Sequence, residues 1–419
     1  MARERVVLAA VALPGLPRPV VEDHLDELEA LVDTAGGEVV LRVVQDREGH
    51  DPATCLGKGK AEELGRLCAE ERITLAVFDE DLTPAQVRNL EKALGIRVID
   101  RTGLILDIFA RRARSREART QVSLAQYTYL LPRLTRAWGH LSRQAGGIGT
   151  RGVGETQLET DRRVIRRRIQ QLRAELEAIA AHRRTQRRRR RTSFQVALVG
   201  YTNAGKSSLL NRLTASDTVV EDRLFSTLDT TFRRLPLPGF LEEVLLVDTV
   251  GLVRKLPHHL VASFRSTLEQ AAEADLLLHV VDVSHPAFEE RARTALEVLA
   301  DLRLDGLSLL TLLNKTDRTP EPVLDRARAL YPEALPVSAA TGAGLEALRQ
   351  AIARRLLEAS GAVCLFVAYE GWPDVQPLLQ GLPLLARTYG AEGVTVALRA
   401  DPSRLRTLLG HPHIRMASL

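Results

Sequence analysis

Cysteine is nearly absent from this chain of 419 residues, which carries only Cys55, Cys68 and Cys364. Three thiols cannot build a disulfide framework, and their spacing fits no zinc pattern, so neither a stapled secreted scaffold nor a zinc module is expected. Lysine is also scarce, at six of the 58 cationic residues. Codon bias accounts for most of that preference, so the clustering of the arginines is more informative than their number. No apolar stretch approaches the length needed to span a bilayer. The opening MARERVVLAAVALPGL imitates a secretion signal, but Glu4 interrupts its basic part and the apolar run is short. It reads as a strand, and a cytoplasmic location is expected. Internal repeats are lacking, and the one low-complexity tract is the arginine run at 187–191.

The remaining composition is that of a multidomain globular protein, with 45% apolar and 26% charged residues. From the N-terminus, apolar runs (VVLAAVAL, EVVLRVV, TLAVF, IRVID) alternate with helical patterns, the last of them opening on Thr83 and Pro84. That alternation predicts a small, mostly parallel α/β sheet over residues 1–113. Residues 114–191 read as two long helices joined by a glycine-rich connection, an antiparallel hairpin ending in an arginine-rich linker. A second alternating series, FQVALVG, EVLLVDT, DLLLHVVDVS, LLTLLNK and EALPVSA, fills 192–357, and a small α+β module is expected over 358–419.

The chemistry concentrates in the second series. GYTNAGKS comprises Gly200, Tyr201, Thr202, Asn203, Ala204, Gly205, Lys206 and Ser207, and lies between a strand and a helix. Glycines there let backbone N–H groups close around a polyphosphate at a helix N-terminus. Lys206 is placed to bridge the outer phosphates and the Ser207 hydroxyl to hold Mg²⁺. DTVG (Asp248, Thr249, Val250, Gly251) ends a later strand; its aspartate can reach the metal shell through water and its glycine amide can sense a third phosphate. NKTD (Asn314, Lys315, Thr316, Asp317) ends another strand. A carboxylate there can accept both N–H groups on one edge of guanine, which adenine lacks, giving selectivity of roughly 10⁴-fold or more. Ser338, Ala339 and Ala340 fit a loop whose amide meets the guanine carbonyl. Four such elements in register predict a P-loop GTPase domain that binds GTP with Mg²⁺. Spacing alone leaves Thr227, Thr230 and Thr231 open as the second magnesium hydroxyl.

Leu252 stands directly after DTVG, where Ras-type relatives carry a water-orienting glutamine, so the catalytic water-positioning group is unknown. Asn203 has two open readings: a residue tolerant of turn geometry, or the asparagine with which potassium-activated GTPases seat K⁺. The expectation is slow intrinsic hydrolysis raised by a partner.

DPATCLGKGKAEEL, DRTGLILDIFARRA, LAQYTYLLPRL, GGIGTRGVGETQLETDRR, GYTNAGKS, LFSTLD and DTVGLVRKLPHHLVASF together resemble the HflX family of GTPases, among the TrmE/Era-like P-loop GTPases, over about residues 5–350. The glycine-rich motif is highly specific to that family. Its F-x-T-L-D motif falls on Phe225, Ser226, Thr227, Leu228 and Asp229, so the resemblance selects Thr227 for the metal. A hydrophobic residue after DTVG is usual there. Val153 and Thr230 stand where the family commonly has proline. The resemblance implies a GTPase that binds the large ribosomal subunit, with its N-terminal region near the peptidyl-transferase RNA, and splits ribosomes under stress. A monomer without membrane insertion is expected.

The same resemblance gives the glycine-rich stretch an RNA-facing reading. Gly146, Gly147, Gly149, Gly152 and Gly154 allow close backbone approach, and Arg143, Arg151, Arg162 and Arg163 flank them with guanidinium groups suited to phosphates. A plain turn on a solvated basic face is the alternative. Trp138 and Tyr129 could stack on bases or simply pack between helices. Two rival functions stand beside ribosome splitting: a GTP-dependent enzyme that modifies or remodels RNA, and an adaptor for a protein other than the ribosome.

Overall fold

The computed structural model describes residues 3–135, 153–187, 193–214, 224–225, 231–255, 271–304 and 306–417. They form two compact units; the first runs from the N-terminus into the long helix that ends near residue 187 and also takes in Leu224, Phe225 and Lys255.

In the first unit, β1 (Glu4–Ala12), β2 (Gly37–Asp46), β3 (Leu75–Phe78) and β4 (Arg97–Asp100) make a parallel sheet ordered β2-β1-β3-β4. Strand β1 is central and buried on both faces, which is why its sequence is an unbroken apolar run. Helix α1 (Arg18–Ala35) places Val21, Leu25, Leu28 and Val32 on one stripe and stops where Gly36 adopts φ 86, a left-handed turn that glycine enters freely. After α2 (Lys58–Glu70), α3 (Pro84–Leu94) opens on a capping box: the Gln86 amide N–H donates to Thr83 Oγ1 and the Thr83 amide N–H to Gln86 Oε1.

The first arm of the expected hairpin is α5 (Arg116–Leu130), and a separate helix, α4 (Arg101–Arg112), precedes it, because Ala113 turns extended and Ser115 caps the next helix. The second arm, α6 (Val153–Arg187), starts inside the glycine motif, so Gly154 is helical. Leu124 on α5 packs with Ile169 and Leu172 on α6, and the Arg116 guanidinium donates to Glu175 at 2.8 Å. The start of α5 thus meets the later half of α6, and the two run antiparallel.

Buried charge fixes how these layers meet. Arg101, only 1% exposed, pairs with Glu27 of α1 at 2.9 Å and with Asp79 after β3 at 3.1 Å. Asp79 also receives the Lys255 ammonium at 2.8 Å. Neighbouring Asp100 caps α4 through the Gly103 amide and accepts the Tyr129 hydroxyl at 2.8 Å and Arg133 at 2.7 Å. Burial and the adjacent Asp79 push the Glu80 carboxyl up to about 7.

In the second unit, β5 (Phe194–Gly200), β6 (Thr231–Leu235), β7 (Val244–Asp248), β8 (Leu276–Asp282), β9 (Leu309–Asn314) and β10 (Leu335–Pro336) form one sheet ordered β10-β9-β8-β5-β7-β6. Only β6 is antiparallel to its neighbour. TFRRL gave no sign of an edge strand, since its outward positions are arginines. Helices α7 (Lys206–Thr214), α8 (Phe288–Asp301), α9 (Glu321–Leu330) and α10 (Leu345–Ala359) accompany the sheet. The C-terminal α+β module follows. Its antiparallel strands β11 (Val363–Ala368), β12 (Leu384–Tyr389), β13 (Gly393–Leu398) and β14 (Ile414–Met416) carry α11 (Trp372–Leu378) and α12 (Pro402–Leu409). The Arg387 amide donates to Gly239 O at 2.7 Å and the Leu241 amide to Leu385 O at 2.8 Å, so this module extends from the loop between β6 and β7.

Replacing Arg101 by methionine removes the cation between two buried carboxylates. Urea unfolding should show the first unit destabilised by about 3–5 kcal/mol. An unchanged midpoint would mean that the carboxylates find water or protons at little expense.

Candidate nucleotide-binding site

Five parallel strands of the second sheet end side by side, and the loops after four of them hold most of the residues singled out above. The first loop leaves β5 at Gly200 and enters α7 at Lys206. Two glycines make its path possible. A Cβ on Gly200 would lie 2.3 Å from the Val280 carbonyl, and one on Gly205, at φ 94, would lie 2.3 Å from Asn314 Nδ2. Asn203 takes φ 59, a left-handed position that asparagine tolerates. Turn geometry therefore accounts for an asparagine there by itself.

Lys206 is buried, and its ammonium donates to Gly200 O at 3.1 Å and Tyr201 O at 2.8 Å. Burial pushes its amine down to about 8, against the opposing pull of Asp248. The Ser207 hydroxyl donates to Asp248 Oδ2 at 2.6 Å. Thr249, beside Asp248, is buried and donates to Leu198 O at 2.6 Å, and Val250 is buried too. A Cβ on Gly251 would come 2.7 Å from Thr202 Cγ2 and 3.2 Å from Lys206 Nζ, so only glycine fits beside the amine. A hydroxyl and a carboxylate next to a helix N-terminus are the hard oxygen donors Mg²⁺ takes, and a desolvated ammonium suits a polyphosphate. The residues present fit both groups.

Leu252 is zipped to the phosphate loop. Its amide donates to Gly200 O at 3.1 Å, its carbonyl accepts from the Thr202 amide at 2.7 Å, and its side chain is buried with Ala295, Val298 and Leu302. Tyr201 backs the same segment: its hydroxyl accepts from the Arg254 amide at 2.9 Å and Arg291 lies over its ring. Sequence spacing gave no hint of this clasp, since its bonds are mostly backbone.

At the far side of the site Asn314 is fully buried and both ends of its amide are engaged. Its Nδ2 donates to Ala204 O at 2.7 Å and its Oδ1 accepts from the Ala339 amide at 3.2 Å, which ties the phosphate loop to the last strand-end loop. Asp317, by contrast, stands exposed, accepting from the buried Ser338 hydroxyl at 2.5 Å. Lys315, at φ 65, pairs with Asp282 at 2.7 Å, and Thr316 donates to Val337 O at 3.1 Å. Ala340 is exposed.

Other expectations fall elsewhere. Phe225 belongs to the first unit, where its ring meets Phe109 edge-on with centroids 4.6 Å apart. Ser226, Thr227, Leu228, Asp229 and Thr230 lie outside the described residues, as do Arg143, Gly146, Gly147, Gly149, Arg151, Gly152 and Trp138. Arg162 is half-buried on α6, whereas Arg163, Arg166, Arg167 and Arg168 are exposed. Tyr129 is committed to the first unit through its bond to Asp100 and the Arg133 guanidinium 3.6 Å from its ring centre. It packs and does not wait for a base.

Three family models match in succession: "GTP-binding GTPase N-terminal" over residues 22–110, "GTP-binding GTPase Middle Region" over 112–190 and "50S ribosome-binding GTPase" over 195–315. The chain is 44% identical to the GTPase HflX of Caldanaerobacter subterraneus subsp. tengcongensis, covering 94% of this chain and 90% of that one. Identity is 54% to the GTPase HflX of Alkalihalophilus pseudofirmus, over 71% of this chain and 70% of the relative. It is 45% to that of Escherichia coli K12, over 80% and 79% respectively.

The lowered amine of Lys206 makes nucleotide affinity depend on pH. The charged form is what attracts phosphate, so affinity is lost as pH rises through about 8. Calorimetric titration with GDP should show Kd rising about fourfold between pH 7 and 8.5. A flat profile would place the amine near its ordinary value of 10.5.

Proposed function

The chain belongs to the HflX family of GTPases, which bind guanine nucleotides and hydrolyse GTP, and from that premise we propose that it couples its nucleotide state to binding and separation of ribosomal subunits. The observation that carries the nucleotide half of this reading is the Asn314 tie. One buried amide holds the phosphate loop and the Ala339 loop together, and Asp317, exposed at the mouth and bonded by the Ser338 hydroxyl, takes the two guanine N–H groups. Lys206 and the loop amides bind the phosphates, and the Ala339 loop meets the guanine carbonyl. Ser207 and Thr227 would hold Mg²⁺, with Asp248 behind Ser207. That ion supplies charge neutralisation on the phosphate oxygens when it is bound.

Hydrolysis needs water placed in line with the third phosphate. Leu252 has no polar side-chain atom, and its side chain is buried in an apolar pocket while its backbone is engaged with Gly200 and Thr202. The chain's own DTVG segment therefore brings no water-orienting group, and Gly251 can offer only its amide. A partner that frees this segment from the phosphate loop supplies the missing order. Stabilisation of that kind is worth roughly 10³–10⁵ in rate where a partner provides it. A K⁺ ion near Asn203 is a further requirement to test, read from single-turnover rates in K⁺ against Na⁺.

The large ribosomal subunit is the partner in this reading. Support comes from the description of the family model over 195–315 and from the exposed arginines Arg163, Arg166, Arg167 and Arg168 in consecutive turns of α6. Guanidinium groups in such a row suit RNA phosphates. The glycine-rich connection, with its flanking arginines, would supply the RNA-facing end of the hairpin.

Purified protein should co-sediment with isolated large subunits in a non-hydrolysable GTP analogue and release them in GDP. Raising salt from about 50 to 200 mM should weaken binding by a factor on the order of 10² or more if several phosphates are contacted. Nucleotide-independent sedimentation, or none, would favour an RNA-modifying enzyme or a non-ribosomal adaptor.

A further inference from the structure

Beneath the phosphate loop lies a feature that nucleotide binding does not use. Strand β8 carries His279, flanked by Val199 of β5 and Thr311 of β9 in register. Its side chain is completely buried, and among the described residues neither Nδ1 nor Nε2 has a hydrogen-bond partner. A neutral imidazole always presents one N–H donor and one acceptor nitrogen, so this ring brings two unmet polar groups into the interior of the unit. The Thr202 hydroxyl, in the phosphate loop, is buried and unpartnered as well. Both residues line the same small cavity, with Tyr201, Asp282, Phe288 and Arg291 among its other walls. About 10 Å³ of it is open to the centre of a water molecule, which is room for one.

We propose that His279 and Thr202 hold a single water in this cavity, and that the water fixes Thr202 and, through it, the phosphate loop. The occupant is argued from the walls. An apolar guest would leave both ring nitrogens and the hydroxyl unmet. A cation would meet the Arg291 side chain among the walls and find one carboxylate, Asp282, which is already paired with Lys315; burial, with the Lys206 ammonium, pushes the His279 imidazole itself down to about 4. Water donates twice and accepts twice, and can serve the neutral imidazole and the hydroxyl at once. Thr202 is then held from two sides, by the water at its side chain and by its amide bond to Leu252 O at 2.7 Å. His279 is thus a positioning residue. It touches no phosphate but sets the loop that grips both the phosphates and the segment after DTVG.

The proposal rests on the phosphate-loop reading for its consequence but not for the water itself, so its test has two arms. In the first, nitrogen resonances of the imidazoles are read by NMR in nucleotide-free protein labelled with ¹⁵N-histidine. His279 should be neutral and hydrogen-bonded at one ring nitrogen, and Thr202→Val should move that resonance. Nitrogens with the shifts of an unbonded ring, or a bonded resonance that Thr202→Val leaves in place, overturn the proposal whatever nucleotide does. In the second arm, dissociation of N-methylanthraniloyl-GDP is timed for Thr202→Val, His279→Leu and the double variant. Each single change should speed release by about 3- to 10-fold, and the double variant should be no faster than the faster single one, because one water serves both. Multiplying effects overturn the proposal. Should His279→Leu fail to fold, His279→Gln replaces it. That variant keeps a donor and an acceptor, so it should release nucleotide within about twofold of the parent chain and restore the sensitivity to Thr202→Val.

Discussion

An ammonium group held out of water on two carbonyl oxygens is the constraint around which the second unit is arranged. The Lys206 amine is buried with Gly200 O and Tyr201 O as its partners and the Asp248 carboxylate near enough to favour its charge. Neither carbonyl neutralises a full charge, and burial disfavours that charge. A polyphosphate does neutralise it. Gly200 and Gly205 exist in their strained positions because the loop must wrap that amine closely against Val280 and Asn314. Gly251 lacks a side chain because the amine is its neighbour. Each piece of the site follows from keeping one cation dry and accessible to phosphate only.

A second consequence concerns the segment that must respond to the third phosphate. Leu252 is joined to the phosphate loop by two backbone bonds and an apolar side-chain pocket, and Arg254 is joined to Tyr201. Apolar burial and backbone pairing together make a firm clasp, yet both can be exchanged for other contacts without breaking the sheet. A switch needs such a segment, held well enough to have a defined resting place and lightly enough to leave it. The next residue, Lys255, already belongs to the first unit, where the buried carboxylate of Asp79 engages it. The chain that follows DTVG is therefore charged with contacts at successive positions, each of which has to be satisfied again if the segment moves.

The elements most readable in the sequence were those fixed by steric or periodic necessity. Strands β1 to β5 announced themselves as apolar runs, Thr83 and Pro84 as a helix start, and GYTNAGKS as a loop that only glycines can close. The antiparallel edge strand Thr231–Leu235 was illegible because only Leu235 of its five side chains is fully buried and two adjacent arginines break any alternation. The break between α4 and α5 rests on little, since one extended residue and one serine cap suffice to make it. Asn314 shows a subtler limit. Its motif marked it as a residue of the guanine site, but only the fold reveals that its amide is spent on joining two loops while Asp317 faces outward. His279 and the buried Arg101 carried no signal at all, because a polar residue in an apolar run declares its chemistry only once its neighbours are known.

The measurement closest to the centre of the account is a calorimetric comparison of GDP and ADP on the intact chain with magnesium present. Convergence of the strand-end loops on one guanine nucleotide predicts a single GDP site and an ADP affinity weaker by roughly 10⁴-fold or more. Equal affinity for the two, or no heat with GDP from folded protein, would contradict it.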